Sequence, residues 1–446
     1  MKIKNITRFM ATAALTASMA LTSCTSYEID MPENPEVPVA GKEVSTNTVY
    51  EANPRFFGTN DCLNAINAQL PRIASMDCDI LWIMPVCKPG ELKSIGSPYC
   101  ISDFKALNDR YGTMADLQAL VNAAHQQGMK VMLDWIANHT AWDHPWLTSD
   151  PDRYVHDADG NVVSPSGWDD VAQLDYSNPS TREAMIDAML YWVTEAGIDG
   201  YRCDYADGVP GDFWEEVISR LRQANPNFIM LAETSKTEFY NYGFDMIYDW
   251  NSSRAISTAF TGGKATEVVT EATDALAKVP DGKSILRYVA NHDVASENAI
   301  DQMFGSSAAL PAAYVCASML NGTPMIYSAM DVDGISGKLS FFDYKTLTFS
   351  TELTDKYAAI NKAFKASAEL RRGQLTNLST SSAICFVKAV GDRSLLVMVN
   401  PSNKDLTVRT PIVLAGTAMN DLINGGTVNM GVTVDLPPYG YTILAN

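Results

Sequence analysis

From residue 49 to residue 327, short apolar runs recur, each closing on a polar residue and followed by a stretch in which apolar positions return every three or four residues. Asp79-Ile80-Leu81-Trp82-Ile83-Met84-Pro85, Lys130-Val131-Met132-Leu133-Asp134 and Phe228-Ile229-Met230-Leu231-Ala232-Glu233 are of the first kind. Runs this short and apolar read as strands covered on both faces, as in a parallel sheet under helices. Residues 114–127 are of the second kind, with Leu117, Leu120 and Val121 on one face and Gly128 to stop the helix; residues 181–196, followed by Gly197, repeat the pattern. Eight strands are predicted, at 50–57, 80–85, 131–134, 200–204, 228–233, 246–248, 285–290 and 324–327. Strand–helix alternation implies an α/β fold with right-handed crossovers, and eight such units in about 320 residues fit a closed (β/α)8 barrel. An open doubly wound sheet would carry a glycine-rich phosphate turn after its first strand, which is missing here.

Three segments break the rhythm. Residues 140–179, rich in Trp, Asp, Pro and Gly, read as a short insertion between the third strand and its helix, lying over the rim where barrels keep their chemistry. From residue 373 to 446 strands alternate with turns, as in Ile384-Cys385-Phe386-Val387 and Leu395-Leu396-Val397-Met398-Val399, so a C-terminal antiparallel β-sandwich domain is expected after a barrel at 46–372. At the other end, Lys2, Lys4 and Arg8 precede an apolar run at 10–21 that is too short for a permanent membrane span, the pattern of an export signal. It closes on Leu21-Thr22-Ser23-Cys24, which resembles the lipobox of bacterial lipoproteins, cut before a cysteine that receives lipid. The expectation is a signal peptide at 1–23, lipidation of Cys24, a tether at 24–45 containing Pro32, Pro35 and Pro38, and an exported protein anchored to a bacterial membrane.

Charge and cysteine usage narrow the partners. The net charge is −19, and −22 once the three basic residues of an acid-free signal are gone, so nucleic acid is excluded as a partner. Cys62, Cys78, Cys87, Cys100, Cys203, Cys316 and Cys385 are scattered without CxxC spacing, which argues for buried small hydrophobes over a disulfide framework or a zinc site.

Candidate chemistry lies where the apolar runs end. The fourth run closes on Arg202-Cys203-Asp204, the fifth on Glu233, the seventh runs into Asn291-His292-Asp293, and the third is followed by Asn138-His139. In a barrel these ends share one rim. Two carboxyl groups facing across a site can hydrolyse a glycosidic bond, one as nucleophile and the other as acid and then base. Arg202, two residues from Asp204 on the same strand face, would keep that carboxylate ionised, and desolvation at a strand end would raise Glu233 toward a usable acid.

In these motifs the sequence resembles glycoside hydrolase family 13, the α-amylase family. The resemblance rests on Asp134-Trp135-Ile136-Ala137-Asn138-His139, Gly200-Tyr201-Arg202-Cys203-Asp204, Ala232-Glu233 and Asn291-His292-Asp293, in order and at barrel spacing, with Ser97-Pro98-Tyr99, Tyr111-Gly112-Thr113 and Gly322-Thr323-Pro324 around them. It implies Asp204 as nucleophile, Glu233 as acid/base and Asp293 as the carboxylate that grips the sugar hydroxyls. It further implies that Arg202 orients Asp204, that His139 and His292 bind hydroxyls, and that Tyr99 stacks on the sugar. Trp168 and Trp250 are read as packing aromatics rather than sugar platforms. The substrate implied is an α-glucan or maltooligosaccharide.

Two departures from the family pattern matter. Calcium in the family is held through the Asn matching Asn138, an acid in the insertion and a Lys-His pair after the nucleophile; here Gln173 and Asp207-Gly208 stand at the latter positions. No cofactor is therefore expected to be required, and a calcium ion would find its usual ligand set incomplete. Exo-acting relatives carry an Asp three residues before the tyrosine, where this chain has Gly96, so internal cleavage is expected. The alternatives are an exo-acting α-glucosidase, a transglycosylase, or a non-catalytic glucan-binding surface lipoprotein; the last is disfavoured by the presence of Asp204, Glu233 and Asp293 together.

Overall fold

The computed structural model describes residues 41–42, 44–165 and 167–446. Eight parallel strands close on themselves: β1 (Val49–Ala52), β2 (Ile80–Ile83), β3 (Lys130–Ile136), β4 (Gly200–Asp204), β5 (Ile229–Ala232), β6 (Met246–Tyr248), β7 (Ser284–Tyr288) and β8 (Thr323–Tyr327). Each overlaps a predicted run: those at 200–204 and 246–248 match end to end, those at 131–134 and 324–327 are longer than predicted, and the others lose residues at one end or both. The first is trimmed most, because the Asn53 side chain accepts from Arg55 N and Pro54, which has no N–H for a ladder, opens a 3-10 turn at Pro54–Phe56. Helices Met114–Gln126 and Pro179–Ala196 stop at Gly128 and Gly197 with positive φ, as predicted. One rung departs from the (β/α)8 scheme: between β5 and β6 the chain makes only a 3-10 turn, Thr237–Tyr240, since the connection is too short for a helix that spans the barrel wall.

Alternate residues of the strands point inward, where Val49, Ile80, Trp82, Met132, Leu231, Met246, Tyr248, Leu286, Tyr288 and Met325 form a core of their own. The helices pack outside on the other set. The insertion is a thin excursion in which His139–Ala141 pairs antiparallel with Val171–Gln173, so His139 is fixed opposite Gln173 at the rim.

The C-terminal region contains β9 (Gln374–Asn377), β10 (Ile384–Val390), β11 (Arg393–Val399), β12 (Leu406–Arg409), β13 (Ala418–Asp421), β14 (Thr427–Asn429), β15 (Thr433–Leu436) and β16 (Tyr441–Ala445). Six form an antiparallel sheet in the order β9-β10-β11-β16-β13-β14, and β12 pairs with β15 as a ribbon. Cys385, Val387, Leu396 and Met398 face Val408 and Leu436 of that ribbon, while Ile384, Phe386, Leu395 and Val397 join the core that continues from the barrel helices. The seven described cysteines are all buried and unpaired, as expected. Cys24 and the segments assigned to signal and tether up to residue 40 lie outside the described residues.

Candidate active site

Strand pairing sets the centre of the site. Asp134 of β3 is in register with Arg202 of β4, so the two stand side by side inside the barrel, and the two-residue period carries Asp204 to the same face. Gly200 permits the close approach of β4 and β5, since a Cβ there would fall 2.6 Å from the Ile229 carbonyl oxygen. The buried Arg202 guanidinium donates from Nη1 to Asp134 Oδ1 (2.8 Å) and Asp204 Oδ1 (2.9 Å), and from Nε to Tyr248 Oη (3.2 Å). Its Nη2 lies 2.8 Å from Glu233 Oε1, an ion pair off the hydrogen-bond line. Burial works against the cation, but Asp134 and Glu233 outweigh it and keep Arg202 protonated.

The two catalytic candidates differ in environment. Glu233, just past β5, also accepts from Tyr205 N at 2.7 Å; burial pushes its carboxyl up to about 7 against the pull of Arg202. Burial also raises Asp204, opposed by Arg202, which donates a hydrogen bond to it. Glu233 can therefore hold a proton near neutrality, and Asp204 keeps a cation against its charge.

Above this floor, Tyr99 donates its hydroxyl to Asp134 Oδ2 (3.1 Å), receives from His292 Nε2 (2.7 Å), and stacks on the His292 ring at 5.4 Å and 22°. Burial opposes charge on His292, yet Asp293 and Glu51 push it up to about 9, so the imidazolium donates on both sides. His139 is its counterpart: burial takes it down to about 4, and the neutral ring accepts from Asn138 Nδ2 while donating to the Tyr99 carbonyl, both at 3.3 Å. Asp293 sits in the first turn of helix His292–Glu297, capped by the Asn291 side chain, with Oδ2 3.4 Å from His292 Nε2 and its carboxylate open to solvent.

All seven sequence-derived site residues, Tyr99, His139, Arg202, Asp204, Glu233, His292 and Asp293, thus converge. Two further residues belong to the site. Asp134 was visible only as a motif member, although both its oxygens are engaged, and Glu51 of β1 meets His292 from below. The signal for Glu51 was a carboxylate in the middle of a strand whose neighbours are all apolar. Trp168 packs against His139 and Tyr205, and Trp250 against Tyr248, with the two residues 37% and 39% exposed respectively.

At the positions the family uses for calcium, Asn138 Oδ1 faces Gly208, where a Cβ would fall 2.3 Å away, and Gln173 is held in the insertion ribbon. Asn138 and Gln173 offer neutral oxygens, and the one carboxylate at these positions, Asp207, is paired with Lys236 Nζ at 3.2 Å, a poor fit for a hard dication. Among the described residues no cluster of three or more His, Cys, Asp or Glu has metal-binding geometry.

The site is thus a closed parallel barrel whose carboxyl rim gathers Asp204, Glu233 and Asp293 around an ion-paired arginine and two histidines of opposite protonation, the arrangement of a barrel hydrolase. The family described as "Alpha amylase, catalytic domain" matches residues 46–159 and 166–372, and the chain belongs to it. It is 28% identical over 418 residues to α-amylase MalA of Haloarcula japonica, covering 87% of this chain and 61% of that protein. It is also 28% identical over 274 residues to an α-1,4-glucan:maltose-1-phosphate maltosyltransferase of Corynebacterium glutamicum, covering 54% of this chain and 40% of the other. The chain spans less than two thirds of the length of these curated relatives. Among solved structures, an α-amylase from Lactobacillus plantarum superposes with a TM-score of 0.80 at 26% identity, covering 90% of this chain and 99% of the other.

Proposed function

We propose that the protein is a retaining glycoside hydrolase that cleaves α-glucosidic bonds, mainly α-1,4, within starch-like glucans and maltooligosaccharides. The observation that carries this reading is the single guanidinium of Arg202 in contact with Asp134, Asp204 and Glu233, which brings nucleophile and acid to opposite ends of one cation. Asp204 attacks the anomeric carbon while Glu233 protonates the departing oxygen; Glu233 then takes a proton from water as the glycosyl-Asp204 bond breaks, and configuration is retained. Asp293, His292 and His139 grip the ring hydroxyls, and Tyr99 covers the sugar.

Internal cleavage is supported by the loop before Tyr99. Gly96 offers no side chain to a terminal glucose, and its carbonyl is taken by Arg55 Nη1 at 2.8 Å. Calcium is dispensable in this reading, and the chain is exported and held to the membrane by lipid on Cys24.

The test is digestion of amylose with iodine staining and reducing ends followed together, and NMR of the first product. Rapid loss of stain with few new ends, and the α-anomer first, are expected. A stain that fades only in step with released glucose would refute internal cleavage, and the β-anomer first would refute retention.

A further inference from the structure

One cavity lies away from the rim, on the flank of the barrel. Its volume is about 590 Å³, within the range of small-molecule sites. Its walls come from the strand Ile101–Leu107, the short helix Trp146–Ser149 with the turn Pro151–Arg153, and helix Pro179–Ala196, and none of the seven rim residues lines it. Aromatic rings make the floor. Phe104 meets His144 at 5.3 Å and Trp146 at 5.4 Å, His144 meets Trp146 at 4.5 Å, and Phe104 backs onto Trp135 of β3 at 5.4 Å. The Arg153 guanidinium lies over the Trp146 ring at 4.7 Å, held by bonds from Nε to Asp150 Oδ2 (2.9 Å) and Ser180 Oγ (3.0 Å).

His144 is the informative member, because it is 4% exposed and only half satisfied. Its Nδ1 accepts from Trp146 N at 3.2 Å, and burial takes its pKa down to about 4, so the ring is neutral and carries its proton on Nε2. Among the described residues that N–H has no acceptor, and neither have Trp146 Nε1 and the Arg153 Nη groups on the same side. A buried donor without an acceptor is costly, so these groups call for oxygen from outside the chain. The lip is acidic: Asp103, Glu183 and Asp187 stand there, Asp187 paired with Lys105 and Glu183 with Arg220. That lip, on a chain of net charge −19, repels an anion, and the guanidinium over Trp146 repels a cation. What fits is a neutral ligand rich in oxygen and with apolar faces. A sugar ring has both, since its C–H faces lie on aromatic rings while its hydroxyls meet the donors and the carboxylates.

We propose that this flank cavity is a second, non-catalytic saccharide site, where one stretch of a neutral polymer rests while another reaches the rim. That the polymer is the enzyme's own α-glucan rests on the reading of the barrel as glucan-cleaving; the site itself does not.

The experiment runs the Asp204→Asn protein, which cannot digest the polymer, through native gels containing amylopectin, pullulan or barley β-glucan. It also measures kcat/KM of the active protein on amylopectin and on α-maltotriosyl fluoride, which is too small to occupy both places. Two changes are added to each: Trp146→Ala removes the floor, and Ala184→Trp fills the cavity from the helix side while the aromatics stay. Each is expected to weaken binding to amylopectin about tenfold, as for loss of an aromatic anchor, and to lower the amylopectin-to-fluoride ratio with fluoride turnover unchanged. Retardation by amylopectin and pullulan alone assigns the site to α-glucan; retardation by β-glucan as well, lost in the same variants, assigns it to sugar chains at large. Retardation untouched by both changes, weakened by only one of them, or lost together with fluoride turnover would overturn the site. Active-form protein that turns over neither substrate, while both changes still abolish retardation, would overturn the glucan-cleaving reading and leave this site standing.

Discussion

Glu51 and His292 form a sealed pair beneath the rim: Oε1 of the one lies 2.6 Å from Nδ1 of the other, and neither side chain reaches solvent. The second Glu51 oxygen is buried without a hydrogen-bond partner, so the carboxylate is committed to the histidine. Asp293, Tyr99 and Arg202 face the same ring, along with the edge of Trp82 and the ring of Phe341. The imidazolium that results passes order upward through Tyr99 to Asp134 and so to Arg202.

Glu51→Gln should uncouple that charge. In the wild type His292 stays protonated until pH rises through about 9. With one of its two anions gone, burial pulls its pKa down, and the imidazolium is lost nearer neutrality. With a glycosyl fluoride, which needs no acid, the alkaline limb of kcat/KM should move to lower pH in the variant. A limb that stays in place would show that Glu51 does not hold the charge on His292.

Asp204 and Glu233 should fail in different ways. Glu233→Gln is expected to slow glucan cleavage by roughly 10²–10⁴-fold while sparing attack on the fluoride, because only the poor leaving group needs a proton. Asp204→Asn should lose both reactions. For the wild type, cleavage of glucan should decline as pH rises through about 7, where Glu233 surrenders its proton. Equal and slight losses in the two variants would contradict the division of roles.

Chelation should leave catalysis and melting temperature nearly unaltered, since Asn138 and Gln173 offer only neutral oxygens, Gly208 contributes no side chain and Asp207 is already paired with Lys236. Activity and thermal unfolding measured before and after EDTA treatment decide it; a large fall in either that calcium reverses would mean ligands of another kind.

Cys24→Ala should move the protein from the membrane fraction to the soluble exported fraction with its turnover intact, as measured by fractionation and assay of detergent extracts. Retention of the variant on the membrane would refute lipid attachment at that residue.

The barrel was legible because most of its strands are short, largely apolar runs, a pattern that survives without tertiary knowledge, and the catalytic rim followed from where those runs end. What stayed hidden depends on packing. Glu51 reads as an ordinary strand charge until His292, far along the chain, is folded against it. The left-handed turn of Tyr205 (φ 38°) has no local signature, because its cause is the carboxylate of Glu233, which accepts from its amide. The missing fifth helix was masked by apolar residues such as Phe239 and Tyr240, which serve a 3-10 turn equally well. Helix His292–Glu297 is only six residues long, too short to show an apolar period.

The shared face of the C-terminal sheet bears on how the molecule comes apart. Since Ile384, Phe386, Leu395 and Val397 complete the core on which the barrel helices rest, severing the chain after Arg372 would strip those helices of a wall. It would also remove Lys388, whose buried amine donates to Asn321 Oδ1 (2.7 Å) and the Arg371 carbonyl (3.2 Å), and whose pKa burial pushes well below the usual lysine range. Such a junction couples the melting of both parts into one cooperative transition. The barrel is therefore no portable cassette, and grafting it onto another scaffold requires carrying the sheet along.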